Sequence, residues 1–217
     1  MTATSNHFIE SFVRMNTELF PYSIILPVIF AIGTLLFAFL CFKRPGAERS
    51  ALLKTFLALI YITFGIALWI YLRPLNPKLG SFSAVGNWLL SLLFLADAFW
   101  WKKIIFQIPR QKELRFFMFL LMVLGMVMYP LVEIFTGMTW PGMVLFGAGC
   151  PTNTFVTGLL VGSLPRTNKF ILALISTIAV IMGSHCAWTG IAADWIFFMS
   201  GIIGWAMLAR YWDRNTR

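Results

Sequence analysis

Glu133, Cys150, Thr152, Asn153, His185 and Cys186 can all do chemistry, and all fall in the same half of the apolar segments that carry them. At about 1.5 Å per helical residue, Cys150 lies roughly 12 Å below Gly142, while Glu133, His185 and Cys186 sit near the outer ends of their segments. A carboxylate, two thiols, an imidazole and a hydroxyl–amide pair at shared depth would frame a site for a small solute or ion. Cys150, His185 and Cys186 are also weak metal candidates, because thiolate suits copper(I) and imidazole suits several transition metals. Their spacing matches no tight metal motif, and no cofactor is implied. A Cys150–Cys186 disulfide is compatible with their shared half of the chain's spans.

Each residue has a plainer use. Free cysteine often packs as a small buried apolar residue. Thr152, Asn153, Thr154 and Thr157 follow Pro151 and can recapture the carbonyls that a proline frees. Glu133 reads alone as a solvated interfacial carboxylate. Met118, Met122 and Met126 recur every four residues as a thioether stripe, a pattern commoner in packing than in ligation.

The break that gathers these groups is Gly-Ala-Gly-Cys-Pro-Thr-Asn at positions 147–153. A mid-span proline removes one backbone donor and clashes with the preceding turn. Backbone released in this way must face protein or water, and interrupted spans often mark binding sites. The sequence therefore predicts irregular geometry around Gly149–Thr152, with polar side chains facing inward. Thr154, Gly158 and Gly162 form a small-residue stripe on which another helix can pack closely. Asp97, near the inner end of the third segment, needs a partner because an unpaired carboxylate in hydrocarbon is costly. Lys102 and Lys103 follow within about a turn and a half, so a structural ion pair is expected there, with a place on an inner ion path as the alternative.

These residues must be positioned by membrane-spanning helices. Of 217 residues, 59% are hydrophobic and 12% charged, and the mean hydropathy of +0.82 excludes an ordinary soluble domain. Windows long enough to cross about 30 Å of hydrocarbon recur along the chain. Seven spans are expected: Tyr22–Phe42, Thr55–Leu72, Phe82–Trp101, Phe116–Val132, Gly142–Leu164, Phe170–Thr189 and Trp195–Ala209. The expected fold is all-α, a polytopic helical bundle forming one integral-membrane domain over residues 1–217. Phe8, Ile9, Phe12 and Val13 among polar residues predict an interfacial amphipathic helix over 7–20.

Fourteen of the 17 lysines and arginines fall on one side of this arrangement, Lys54 and the Lys102–Arg115 connection among them. Arg14, Arg73 and Lys78 fall on the other. Cytoplasmic loops hold the excess of basic residues, so the amino terminus is expected outside and the carboxyl terminus inside. The formal charge of +9 is thus a topology signal, and no nucleic-acid partner is expected. The Lys102–Arg115 connection mixes basic residues with Ile104, Ile105, Phe106 and Ile108, as an interfacial segment touching anionic lipid would.

His7–Tyr22, Arg73-Pro74-Leu75-Asn76-Pro77, Tyr129-Pro130, Phe146-Gly147 and Cys150-Pro151-Thr152 together resemble a family of uncharacterised bacterial multi-pass membrane proteins, a domain of unknown function. The resemblance implies a small helical bundle in a bacterial inner membrane and carries over no catalytic or ligand residues. Enzyme signatures are absent from the sequence: no Gly-x-Ser-x-Gly elbow, His-Glu-x-x-His helix, phosphate-binding glycine loop or Cys-x-x-Cys pair occurs. Transport or conduction of a small solute or ion is the leading expectation, and catalysis is not expected. A non-catalytic accessory or assembly subunit of a membrane complex comes second, a membrane-embedded enzyme third. Beyond the lipid bilayer and the solute, the partners considered are a second copy of the chain or another membrane protein.

Overall fold

A computed structural model describes residues 3–188 and 190–212. Thr189, the expected end of the sixth span, and Arg214 and Arg217, counted among the inner basic residues, lie outside the described residues. The order is α1 (Ala3–Glu18), α2 (Tyr22–Lys43), α3 (Ala47–Tyr71), α4 (Pro77–Ala96), α5 (Lys112–Val123), α6 (Tyr129–Phe135), α7 (Gly149–Gly162), α8 (Lys169–Trp188) and α9 (Asp194–Arg210), with no β-strand among the described residues. A π turn over Asp97–Trp101 extends α4, and another over Leu124–Met128 joins α5 to α6.

Five of these helical runs are long and apolar enough to cross a membrane: Tyr22–Lys43, Ala47–Tyr71, Pro77–Trp101, Lys112–Phe135 and Lys169–Trp188. Their outer surfaces carry Ile25, Ile29, Ile32, Leu36 and Phe39 on α2 and Phe82, Val85 and Leu92 on α4, all exposed. An apolar surface of that extent is unstable in water and ordinary in lipid.

The expected fifth span behaves differently. Residues 142–148 are not helical, and α7 has only 14 residues, about 21 Å, short of the hydrocarbon thickness. Every residue from Pro151 to Gly162 is buried, so α7 is the central strut around which the other helices pack. Leu57 and Tyr61 of α3, Met118 and Leu121 of α5, Phe155 and Leu159 of α7, and Ile171 and Ile175 of α8 share one core. The glycine stripe does what its spacing implies: a Cβ built on Gly158 would lie 2.8 Å from the Met118 carbonyl and 3.1 Å from the Met122 nitrogen. Met118 also packs on Gly162 and is fully buried, so the methionine stripe is filler at the α5–α7 seam.

The 102–111 connection is drawn into the bundle, which the interfacial reading did not anticipate. Ile104 and Phe106 are fully buried, and the Phe106 N–H donates to Ser50 Oγ at 3.0 Å. Ile108 alone of the four apolar residues there is exposed.

Candidate functional site

Pro151 is the third residue of α7, following Ala148 as N-cap. A first-turn N–H has no intrahelical acceptor, so a proline there breaks nothing. The irregularity expected at Gly149–Thr152 therefore lies just before it, over 142–148. That stretch is held by side chains. Thr152 Oγ1 accepts from the Gly147 N–H at 2.9 Å, and Glu133 Oε2 accepts from the Val144 N–H at 2.9 Å. Glu133 is therefore a buried brace, where a solvated surface carboxylate was the plainer expectation, and its Oε1 has no hydrogen-bond partner among the described residues. Thr154 and Thr157 donate to the carbonyls of Cys150 and Asn153 four residues back, ordinary bonds inside a regular helix and not the recapture of proline-freed carbonyls that the sequence suggested, since Pro151 in the first turn frees none there.

Past this turn, Cys150 and Asn153 reach one wall of a cavity of about 300 Å³. Asn153 is buried, and its Oδ1 accepts from the Tyr61 hydroxyl at 2.6 Å. The polar pole of the cavity is Asp194, the first residue of α9, whose N-terminal end favours negative charge. Tyr129 Oη donates to Asp194 Oδ1 at 2.8 Å, and the thiols of Cys150 and Cys186 lie beside the same carboxylate. No disulfide joins cysteines among the described residues. Across the cavity, Ser83 Oγ and Asn87 Oδ1 on α4 have no hydrogen-bond partner among the described residues.

The remaining wall is apolar. Phe8, Ile9 and Phe12 of α1 close it from above, and Phe12 stacks on Phe64 with ring centroids 6.3 Å apart. Asn16 fixes α1 in place by donating to the carbonyls of Pro141 (2.6 Å) and Met143 (3.1 Å). The amphipathic helix thus roofs the cavity. Its α4 lining residues Phe82, Val85 and Leu89 are also exposed on the outer surface, so the cavity opens sideways past α4.

Of the predicted set, Cys150, Asn153 and Cys186 share this cavity, Thr152 and Glu133 brace the chain beside it, and His185 stands apart. His185 is exposed although its neighbour Cys186 is buried, because adjacent residues on a helix point about 100° apart. Among the described residues no three His, Cys, Asp or Glu side chains group as a metal site, which removes the geometric basis for Cys150, His185 and Cys186 as ligands.

The ion-pair expectation at Asp97 is corrected. Its partner is Lys54, with Nζ 2.9 Å from Asp97 Oδ2, and both side chains are buried. Lys54 also donates to the carbonyls of Asp97 (3.0 Å) and Ile104 (3.2 Å), which uses all three ammonium donors. The Ile104 N–H and Asn168 Nδ2 complete the carboxylate at 3.0 and 3.1 Å. Lys102 and Lys103 are exposed: Lys102 adopts a left-handed conformation (φ 51°) that ends the π turn, and it is the Ile104 backbone, not either ammonium, that the chain brings back to Asp97. Lys54 belongs to the interior of the bundle and not to the loop cations with which the sequence grouped it.

Sequence reasoning missed Lys54, Tyr61, Tyr129 and Asp194. Asp194 carried a usable signal, a carboxylate at the very start of an apolar run at the same depth as Glu133. The aromatic donors carried none, since their roles follow from which helices are neighbours.

A helical bundle with five membrane-length apolar helices, a half-length central helix and a cavity beside it is the architecture of a multi-helix membrane protein. The chain belongs to DUF6064, a family of unknown function, whose pattern matches residues 5–216. Neither the curated proteins nor the solved structures yielded a match.

Proposed function

We propose that the protein is a multi-pass transporter of the bacterial inner membrane. In this reading it carries a small solute that has an apolar body and a cationic or hydrogen-bond-donating group. The observation that carries it is the apolar cavity closed at one pole by the Asp194 carboxylate, with Tyr129, Cys150 and Cys186 converging on that group. Apolar walls with a few convergent polar groups are the usual construction of a small-molecule site. Below Asn153 the route is shut by the packed helix α7 and by the Lys54–Asp97–Asn168 cluster, as in a carrier open on one side.

The purified protein in neutral detergent, heated with alkylamines of four to eight carbons, should gain thermal stability by mass action. Alcohols of equal length should stabilise it less, and alkyl carboxylates should not stabilise it. Asp194→Asn should reduce the amine effect at least tenfold in half-maximal concentration while leaving the unliganded melting temperature within a few degrees. Amines that stabilise Asp194→Asn as well as the wild type would remove the site. The accessory-subunit reading predicts no ligand stabilisation at all.

The topology we infer places the amino terminus outside and seven crossings in the bilayer, with residues 142–148 and α7 together forming the fifth and α9 the seventh. The bias of basic residues supports this orientation. Reporter fusions at Asn76, Gly137 and Ala192 should give external signals, and those at Gly46, Gln111 and Asn168 internal ones. A cytoplasmic signal at Gly137 would overturn the arrangement.

A further inference from the structure

At the opposite end of the bundle from Asp194, a groove of about 680 Å³ lies where the 102–111 connection meets the start of α8. Lys103, Arg166 and Lys169 line it, and no described lining residue is acidic. Asp97, which the groove residue Asn168 contacts, is already matched by Lys54, and Glu113 is engaged by Arg210 and Tyr211; Asn168 donates to Asp97 and accepts from the Phe170 N–H at 3.2 Å. The three cations are therefore not compensated by the described side chains around them.

The groove is built by the fold. The Ile105 N–H donates to the Arg166 carbonyl at 3.5 Å, which holds Lys103 and Arg166 on adjoining segments. Lys169 donates to the Trp212 carbonyl and lies over the Trp212 ring, 4.9 Å from its centroid, so its ammonium is fixed at the rim. The 20-residue helix α8 begins at Lys169 and points its positive end into the same space. Thr167 supplies an independent sign of a missing partner. It is only 4% exposed, it lines the groove, and its Oγ1 has no hydrogen bond among the described residues. A buried hydroxyl without a partner is rare, because its desolvation is not offset.

We propose that this groove binds a phosphate group, held by Lys103, Arg166 and the α8 N-terminus, with Thr167 Oγ1 donating to one of its oxygens. A phosphate offers the multiple acceptor oxygens and the negative charge that this donor set lacks. The same chemistry is found in anionic lipid headgroups and in soluble phosphate. Phe170 and Trp212, both exposed at the rim, favour the lipid: they continue the groove onto the apolar face of α8, along which an acyl chain can lie. This site is independent of the Asp194 cavity and of what that cavity carries.

The test uses the full chain in neutral detergent, read by native mass spectrometry for retained lipid and by thermal unfolding. Phosphatidylglycerol should be retained and should raise the melting temperature, and phosphatidylcholine should do neither. The Lys103→Gln/Arg166→Gln double variant should weaken retention tenfold or more, and Thr167→Val severalfold. Lys112→Gln/Arg115→Gln, at the same end of the bundle but outside the groove, should leave it unchanged. Inorganic phosphate that stabilises the wild type but not the double variant would assign the site to soluble phosphate. Equal losses in the two double variants would mean unspecific charge attraction and would overturn the proposal, as would equal retention of the two lipids. If the Lys103→Gln/Arg166→Gln protein does not fold, Thr167→Val against Lys112→Gln/Arg115→Gln decides by the same criterion.

Discussion

Asp97→Ala is expected to cost about 3–5 kcal/mol of stability, because it leaves the Lys54 ammonium buried without its counter-charge. Lys54 is 1% exposed and its three donors are spent on Asp97 and Ile104. Losing the carboxylate also strands the Ile104 N–H and the Asn168 amide, each of which donates to it. Lys54→Met alone should be similarly damaging, since it leaves a carboxylate in the core. The combined Lys54→Met/Asp97→Leu protein should recover much of the loss, because replacing a whole buried pair by apolar groups is often neutral. Lys102→Gln/Lys103→Gln should change stability by less than about 0.5 kcal/mol, as exposed positions do. Denaturant unfolding of the four proteins in one detergent measures this. A large effect from the Lys102/Lys103 pair, with a mild one from Asp97→Ala, would restore the pairing that sequence proximity suggested.

That contrast marks where the sequence stops being readable. The lengths of α2, α3, α8 and the composite α4 and α5–α6 runs follow from apolar windows, because one physical quantity, hydrocarbon thickness, sets them. Depth along a helix is also countable, and Cys150, Asn153 and Cys186, at similar counted depths, line one cavity. Rotation about the helix axis is not countable without knowing the neighbours, and His185 failed on that ground. Lys54 failed for a related reason. It lies 43 residues from Asp97, so nothing local distinguishes it from a loop cation, and α3 begins eight residues before the apolar window that was read as its start. Pro151 reads in sequence as a break inside a span, whereas it stands in the first turn of a helix that starts at Gly149. The rule that proline breaks a helix interior and starts a helix freely cannot be applied until the helix start is known.

Gly125 is where the central strut leaves least room, and Gly125→Val is expected to destabilise the protein by about 3 kcal/mol, the upper part of the usual range for overpacking. Gly125 lies in the π turn between α5 and α6, against the first turns of α7. A Cβ there would sit 2.5 Å from the Pro151 carbonyl oxygen and 2.6 Å from the Phe155 nitrogen. Both are backbone atoms of a helix buried on all sides, so neither can swing aside as a side-chain tip would. The only relief is to move α7 as a body, which carries Cys150 and Asn153 with it. The same substitution should therefore weaken alkylamine stabilisation beyond what the loss of unliganded stability accounts for. Gly86→Ala is the control for unliganded stability alone, because Gly86 lines the cavity: it is helical, a Cβ there meets nothing within 4 Å, and the gain in helix propensity is worth up to about 1 kcal/mol. If Gly125→Val unfolds with the wild type, α5 and α7 do not meet at this distance, and α7 loses the packing contact that positions Cys150 and Asn153 at the cavity wall.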